Sequence, residues 1–291
     1  MSHPVVKVQG NSSIVNVFKP QQFLGNKRLS RNFSRWLLDF CQRVFRCQPD
    51  ESQQFLDVGC GIGDLTRDEL LPRCLPCRRI VAVDLSTEMV EHAARHSRHE
   101  KIEYGKLDIV SEEDVGGFID EHGLFDRVYS FNTLSWVRDQ AAALKNVARL
   151  LKPRGECLLV FPASLEPLDV NRNVAKLERW SKYSHLVEQV VPKTHDMSDD
   201  ERLEYISTLL AEAGLSPSIL ELPVFTGFDD YSFETLIDMH VVKSPIFAVL
   251  PEEEKHQFQI HMAHEIEKMQ SPDADRTRNR IYIIKASKMS E

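Results

Sequence analysis

The chain has 291 residues, 42% hydrophobic and 27% charged, with 36 Lys plus Arg against 44 Asp plus Glu for a net charge of −8. This is a globular composition, which excludes disorder, collagen and coiled coil as whole-chain descriptions. The acidic balance argues against a nucleic-acid partner, because phosphate binding needs a cationic stripe. The longest apolar stretch, 241–250, is broken by Lys243 and Pro245 and falls short of the roughly 18 to 20 residues of a membrane span. No signal peptide pattern opens the chain, so a cytoplasmic location is expected, and the 6 cysteines read as reduced thiols.

In chain order, Leu29, Phe33, Trp36, Leu37, Phe40, Cys41, Val44 and Phe45 recur at helical spacing and predict an amphipathic helix, with Ser30 near its start. An apolar run at 55–58 predicts a buried strand that ends in glycines, followed by a polar helical stretch from Asp64. A second strand at 80–83 ends at Asp84. Helical residues 89–98 lead to a strand at 102–107 and then to Asp108. Residues 128–131 read as a strand and 141–151 as a helix stopped by Pro153 and Gly155. A fifth strand follows at 157–161. Strands alternating with helices predict an α/β fold with a doubly wound parallel sheet, in which ligands bind at the carboxyl ends of the strands.

Beyond Phe161 the pattern changes. Val174, Leu177, Trp180, Leu209 and Leu210 suggest helices, and Phe233, Leu236, Ile237, His240 and Val241 mark an amphipathic one. Late strands at 219–225 and 281–286 would close a seven-stranded sheet within a single domain over 1–291. That domain divides into an N-terminal lid and helix (1–50), a cofactor-binding core (51–162), and cap insertions at 163–215 and 226–278 where the substrate would be met.

The sharpest motif is the turn that follows the first strand, with Asp57 at the strand end and then Gly59, Cys60, Gly61, Ile62 and Gly63. Glycines there let a ligand approach bare backbone and allow positive φ. Asp84 follows at the roughly 20-residue distance expected of a ribose-binding acid. A pyrophosphate would need a third glycine and an uncharged helix start, but Asp64 stands at that position. Acids around the loop suit a ligand carrying an ammonium and a sulfonium, and that ligand is S-adenosylmethionine.

On these residues the sequence resembles the class I S-adenosylmethionine-dependent methyltransferases, with a Rossmann-like fold. The first motif falls at 57–63, the second at 81–89 and the adenine-contacting turn at 106–109. The resemblance implies that Asp57 and Gly59, with Cys60 and Gly61, lie by the methionine moiety. It implies further that Asp84 binds the ribose, that Leu85 and Met89 flank the adenine, and that Asp108 accepts from its amino group with Ile109 beside it. Ser130, at the end of the fourth strand, joins the cofactor set. Met89 serves equally well as helix core, and a helix cap is the alternative for Asp108.

The stretch 130–140, which holds Trp136, together with 150–155 is similar to the arthropod juvenile hormone acid methyltransferases. These methylate the terminal carboxylate of a sesquiterpenoid acid. That resemblance implies that Trp136 lines the substrate cavity near the transferred methyl. It also implies that an N-terminal glutamine meets the carboxylate, for which Gln21 and Gln22 are the candidates. The expected partner is then a small lipophilic acid. A hydroxyl or amine acceptor, or a scaffold that binds the cofactor without turnover, are the alternatives.

A carboxylate acceptor is already ionised at neutral pH and needs no general base. A phenol, hydroxyl or amine would need one, and His185, His195 and His240 lie in the right regions. Trp180, Phe225, Phe228, Tyr231, Phe233, Met239 and Phe247 supply apolar bulk in the insertions. Cys74 and Cys77 form a CxxC, but a structural zinc needs two further ligands, so no metal is expected.

Overall fold

The computed structural model describes Pro20 and residues 27–225, 232–269 and 279–289. The expected glutamines Gln21 and Gln22, the stretch before them, and Phe228 and Tyr231 lie outside the described residues.

Helix α1 (Lys27–Val44) leads into β1 (Gln54–Val58), whose five residues are all buried. The glycine turn then enters a helical segment with a π-helical stretch at Thr66–Leu70 that continues as α2 (Leu71–Cys74). Next come β2 (Arg79–Asp84), α3 (Thr87–His96), β3 (Ile102–Lys106), α4 (Glu112–His122) and β4 (Phe125–Phe131). The short 3-10 turn Leu134–Trp136 precedes α5 (Gln140–Leu150) and β5 (Leu151–Ser164). The first insertion carries α6 (Glu166–Lys176), α7 (Ser184–Val190) and α8 (Asp199–Glu212) before β6 (Leu215–Glu221). The second carries α9 (Phe233–Val242), α10 (Pro245–Val249) and α11 (Glu252–Met269) before β7 (Arg280–Lys288).

The seven strands lie in the order β3-β2-β1-β4-β5-β7-β6. The first five are parallel, and β7 runs antiparallel between β5 and β6. The chain therefore moves outward from β1 to β3 and returns to place β4 beside β1. That reversal opens a crevice at the carboxyl ends of β1 and β4, where such sheets hold their ligands.

Several helix starts are capped by short polar side chains. Ser86, Ser111, Asp139 and Ser232 each accept a backbone N–H from the first turn of α3, α4, α5 and α9, and Ser198 with Glu201 forms a reciprocal capping box on α8. Period-2 alternation sends Leu56, Val58 and Val81 to a core shared with α4, α5 and α8, while Phe55, Ile80 and Tyr129 face Leu37, Leu38, Leu70 and Leu71 on the opposite side. The end of α1 is pinned at the amino edge of the sheet. Buried Arg127 lies over the Phe45 ring, 4.0 Å from its centroid, and donates to the Cys47 carbonyl. Buried Glu156 pairs with Lys285 at 2.6 Å and accepts the Arg46 N–H at 3.0 Å.

The two insertions share a separate apolar cluster. Val170, Val174 and Val187 from α6 and α7 meet Leu236 and Val241 from α9 and Phe258, Met262 and Ile266 from α11. Trp180 is fully buried at its centre, edge-on to Phe258 and donating its indole N–H to His261 Nδ1 at 2.7 Å. Helix α8 instead buries Ile206 and Leu210 in the core beneath the sheet.

Several elements differ from their sequence expectations. Helix α4 had no counterpart, because Gly116 and Gly117 interrupt its apolar period. Strand β5 begins at Leu151, directly after α5, since Leu151 pairs with Phe125 across a bulge that absorbs Pro153 and Gly155. Strand β6 lies earlier than 219–225, and of that expected stretch Val224 makes only an isolated bridge to Arg280.

Candidate active site

The glycine turn closes through backbone bonds that fix its shape. Gly59 and Cys60 donate N–H bonds to the Val83 carbonyl at 2.7 and 2.9 Å, and Gly63 donates to Cys60 at 3.0 Å. Gly59, Gly61 and Gly63 all have positive φ, at 78°, 55° and 74°. At Gly59 a Cβ would stand 2.0 Å from Thr133 Oγ1, whose hydroxyl donates to the Gly59 carbonyl at 3.2 Å. At Gly63 it would meet the Tyr104 hydroxyl at 2.7 Å. Gly61 is different, because among the described residues nothing lies within 4 Å of its Cβ position. The turn thus packs tightly against the protein at two glycines and offers the third to a ligand.

Asp84 closes the turn from the end of β2. Its Oδ2 accepts the Gly61 N–H and its Oδ1 the Ser86 N–H, both at 2.9 Å. Burial pushes its carboxyl pKa up, against these backbone bonds. Asp57 is buried at the end of β1, where it accepts the Thr66 hydroxyl at 2.6 Å. Burial is the main reason that its pKa rises to about 6, Thr66 opposes the rise, and the Asp84 charge adds to it. Among the described residues no cation enters that balance. Two desolvated carboxylates in one turn fit a cationic ligand and would repel a phosphate.

The other predicted residues line the same edge of the sheet. Leu85 is half-buried directly after Asp84, and Met89 is buried against Ile62 from the glycine turn. Asp108 follows β3, with Oδ1 accepting the Val110 N–H at 3.1 Å. Ile109 beside it is buried, its carbonyl held by Asn146 Nδ2 at 2.8 Å. The Ser130 hydroxyl is committed to the Val58 carbonyl at 2.9 Å and ties β4 to β1. Cys60 is buried inside the turn, its thiol pKa raised far by burial.

Trp136 ends the short turn after β4 and is 40% exposed. Its N–H reaches the Thr133 carbonyl at 3.0 Å, and Gln140 Nε2 braces the same turn by donating to Leu134 at 2.9 Å. Asn132, at the exit of β4, adopts a positive φ of 56°. Thr133 therefore links the tryptophan turn to Gly59, across the crevice.

Thr66, Thr133, Tyr104 and Asn146 were missed by sequence reasoning. Thr66 sits in the first turns after the glycine loop, which is the one signal that could have found it. The others act from remote segments whose approach the sequence does not announce.

Each of the three candidate histidines holds at least one hydrogen bond. Buried His195 has Nε2 3.0 Å from Asp169 and Nδ1 3.5 Å from the Leu165 N–H. His240 bonds the Leu236 carbonyl through Nδ1 at 2.7 Å, and burial lowers its pKa to about 4. His185 Nδ1 lies 3.1 Å from the Lys182 carbonyl. Cys74 and Cys77 are buried in the core, and burial holds the Cys74 thiol up at about 12. Among the described residues no group of three or more His, Cys, Asp or Glu is arranged to hold a metal ion. Trp180 and Phe247 belong to the cap cluster, Met239 is buried, Phe225 packs partly against the sheet core, and Phe233 is exposed.

Comparison with known proteins bears on the fold and the class of domain. Residues 56–159 match a family model described as a methyltransferase domain. The structure of Haemonchus contortus phosphoethanolamine N-methyltransferase 2 in complex with S-adenosyl-L-methionine shares the fold, with a TM-score of 0.54 and 17% identity over 97% of this chain and 58% of that one. The chain thus carries a methyltransferase domain at 56–159, and that domain supports S-adenosylmethionine as its cofactor.

Within that class it is similar to two juvenile hormone acid O-methyltransferases. The Bombyx mori protein is 31% identical over 67% of this chain and 66% of its own length, and the Drosophila melanogaster protein is 32% identical over 67% and 65%. The chain thus spans a little under two thirds of these relatives.

Proposed function

We propose that the chain transfers the methyl group of S-adenosylmethionine to the carboxylate of a lipophilic acid, of the farnesoic or juvenile hormone acid type, giving a methyl ester. The observation that carries the acceptor class is the similarity to two proteins named for a carboxylic acid. A carboxylate requires no base, and of the candidate histidines buried His195 has both ring nitrogens engaged, by Asp169 and by the Leu165 N–H.

When bound, the cofactor supplies an electrophilic methyl on sulfur. The protein's part is to orient and to exclude water, which can account for most of the acceleration of an in-line displacement. In this reading Asp57, Gly59, Cys60 and the exposed backbone of Gly61 receive the methionine moiety, and Asp84 the ribose hydroxyls. Leu85, Met89 and Ile109 enclose the adenine. Asp108 accepts from the adenine amino group, and Ser130 keeps the β1 and β4 ends together beneath. Trp136 bounds the acceptor side of the crevice. Gln21 or Gln22 donates to the acceptor carboxylate, and the cap helices cover the lipophilic chain.

The acceptor class is tested by pairing each acid with the alcohol of the same carbon skeleton. With S-adenosylmethionine saturating at every pH, turnover of the acid and not the alcohol, at a rate level from about pH 6 to pH 9, is expected of an acceptor with a pKa near 4. Turnover of the alcohol, rising with pH as a base deprotonates, would move the assignment to a hydroxyl acceptor.

A further inference from the structure

Helix α1 presents a surface that the crevice does not use. Trp36 is 60% exposed, Phe40 46% and Val44 37%, at four-residue intervals that align them on one side of the helix. Trp36 and Phe40 stack at 5.9 Å between centroids. The opposite side buries Leu37, Leu38 and Phe45 in the sheet core.

The charge of α1 runs against that of the whole chain. Its sequence holds Lys27, Arg28, Arg31, Arg35 and Arg43 with Asp39 as its one acid, in a protein of net charge −8. Asp39 is neutralised by Arg73 at 2.7 Å, and Arg35 bonds Glu69 at 2.9 Å. Arg43 is exposed next to Val44, and exposed Arg46 lies one turn beyond Gln42 with a bond to Ser287 at 3.2 Å. Aromatic residues flanked by arginines, with the acid silenced, fit the interface of a bilayer that carries anionic headgroups. No helix among the described residues is long and apolar enough to cross a membrane, so α1 would lie in the surface plane.

The direction of α1 gives this surface a use. Arg35 meets Glu69 and Asp39 meets Arg73, so α1 runs alongside and in the same sense as the helical segment that leaves the glycine turn. Its first residues therefore lie toward the mouth of the crevice. We propose that α1 docks this protein on anionic phospholipid membranes through Trp36, Phe40 and Val44, with Arg43 engaging headgroups. The docking stands on α1 alone. Its purpose, to take a membrane-dissolved acid directly into the crevice, rests on the proposed function.

Flotation of the full chain with vesicles tests this. Binding is expected to vesicles of phosphatidylcholine containing about one third phosphatidylserine, to fall with salt, and to be weak with phosphatidylcholine alone. The variant carrying Trp36→Ser and Phe40→Ser should lose about tenfold or more in partitioning, while its calorimetric affinity for S-adenosylmethionine matches the parent. Arg43→Glu, a surface change that leaves the helix core intact, should reduce binding in the same assay and serves if the double variant does not fold. Failure of the parent to float with the anionic vesicles, or equal flotation of parent and variants, would overturn the proposal. So would a parent dimer that the double variant converts to monomer, since the stripe would then belong to a second copy. Methyl transfer does not enter the readout, so the docking and the proposed acceptor fail independently.

Discussion

At the scale of single residues, the glycine turn and its two acids make the sharpest claims. Gly59→Ala would place a Cβ on the Thr133 hydroxyl in a backbone region that L-residues rarely adopt. A destabilisation of about 1–3 kcal/mol and loss of cofactor affinity are expected by thermal melting and calorimetry. An Ala variant that melts and binds like the parent would remove the tight contact across the crevice. Asp84→Ala should weaken S-adenosylmethionine binding by about 1–3 kcal/mol, the scale of a charged hydrogen bond. Asp57 supplies a pH dependence with a definite sign. Its folded pKa of about 6 lies above the ordinary 3.8, so the ligand-free protein is more stable below pH 4 on this account and loses about 3 kcal/mol as pH rises through 6. A cationic ligand prefers the carboxylate, so cofactor affinity should rise over the same window. Calorimetry between pH 5 and pH 7.5 should show that rise, and Asp57→Asn should flatten it. The acids themselves were legible in the sequence because each follows a strand in a recognisable pattern. Thr133 and Tyr104, which shape the turn from remote segments, were not, since their contacts are made by tertiary packing.

At the scale of elements, legibility followed the regularity of the pattern. The runs that became β1 and β2 are continuously apolar and bounded by a glycine turn and an acid, and both were located within a residue or two. Helix α4 was missed because Gly116 and Gly117 dilute its apolar face, leaving Val115 and Phe118 as its only buried side chains. The start of β5 was hidden by Pro153 and Gly155, which read as breakers and are accommodated at a bulge. In the insertions, aromatic residues were legible as apolar bulk but not as core or pocket. Trp180 is core: it joins α6 and α7 to α11 through Phe258 and His261. Trp180→Ala should cost about 3–5 kcal/mol in stability, read by denaturant unfolding. A change below 1 kcal/mol would mean that the cap does not depend on this contact.

Across the whole molecule, the sheet order explains why distant segments form one site. The return of β4 to the side of β1 brings the tryptophan turn against the glycine turn, with Thr133 as the hinge between them. The late strands β6 and β7 then extend the sheet and carry the insertions back over its carboxyl edge. The amino edge is held by the buried pair of Lys285 and Glu156. Replacing Lys285 with Ala would strand a buried carboxylate and should cost about 3–5 kcal/mol by chemical denaturation, whereas an effect near zero would show that solvent reaches Glu156. The net charge of −8 also takes on a local meaning, because the proposed site sets Asp57 and Asp84 where a cationic cofactor would favour them, and the sequence of α1 carries an opposite charge. The central claim, that this site makes methyl esters, is tested most directly by the product formed from labelled S-adenosylmethionine and a farnesoic-type acid. The account predicts label that enters the organic phase and is released as methanol by mild alkali. Label that resists alkali, or no transfer to any acid while a phenol or amine is methylated, would contradict it.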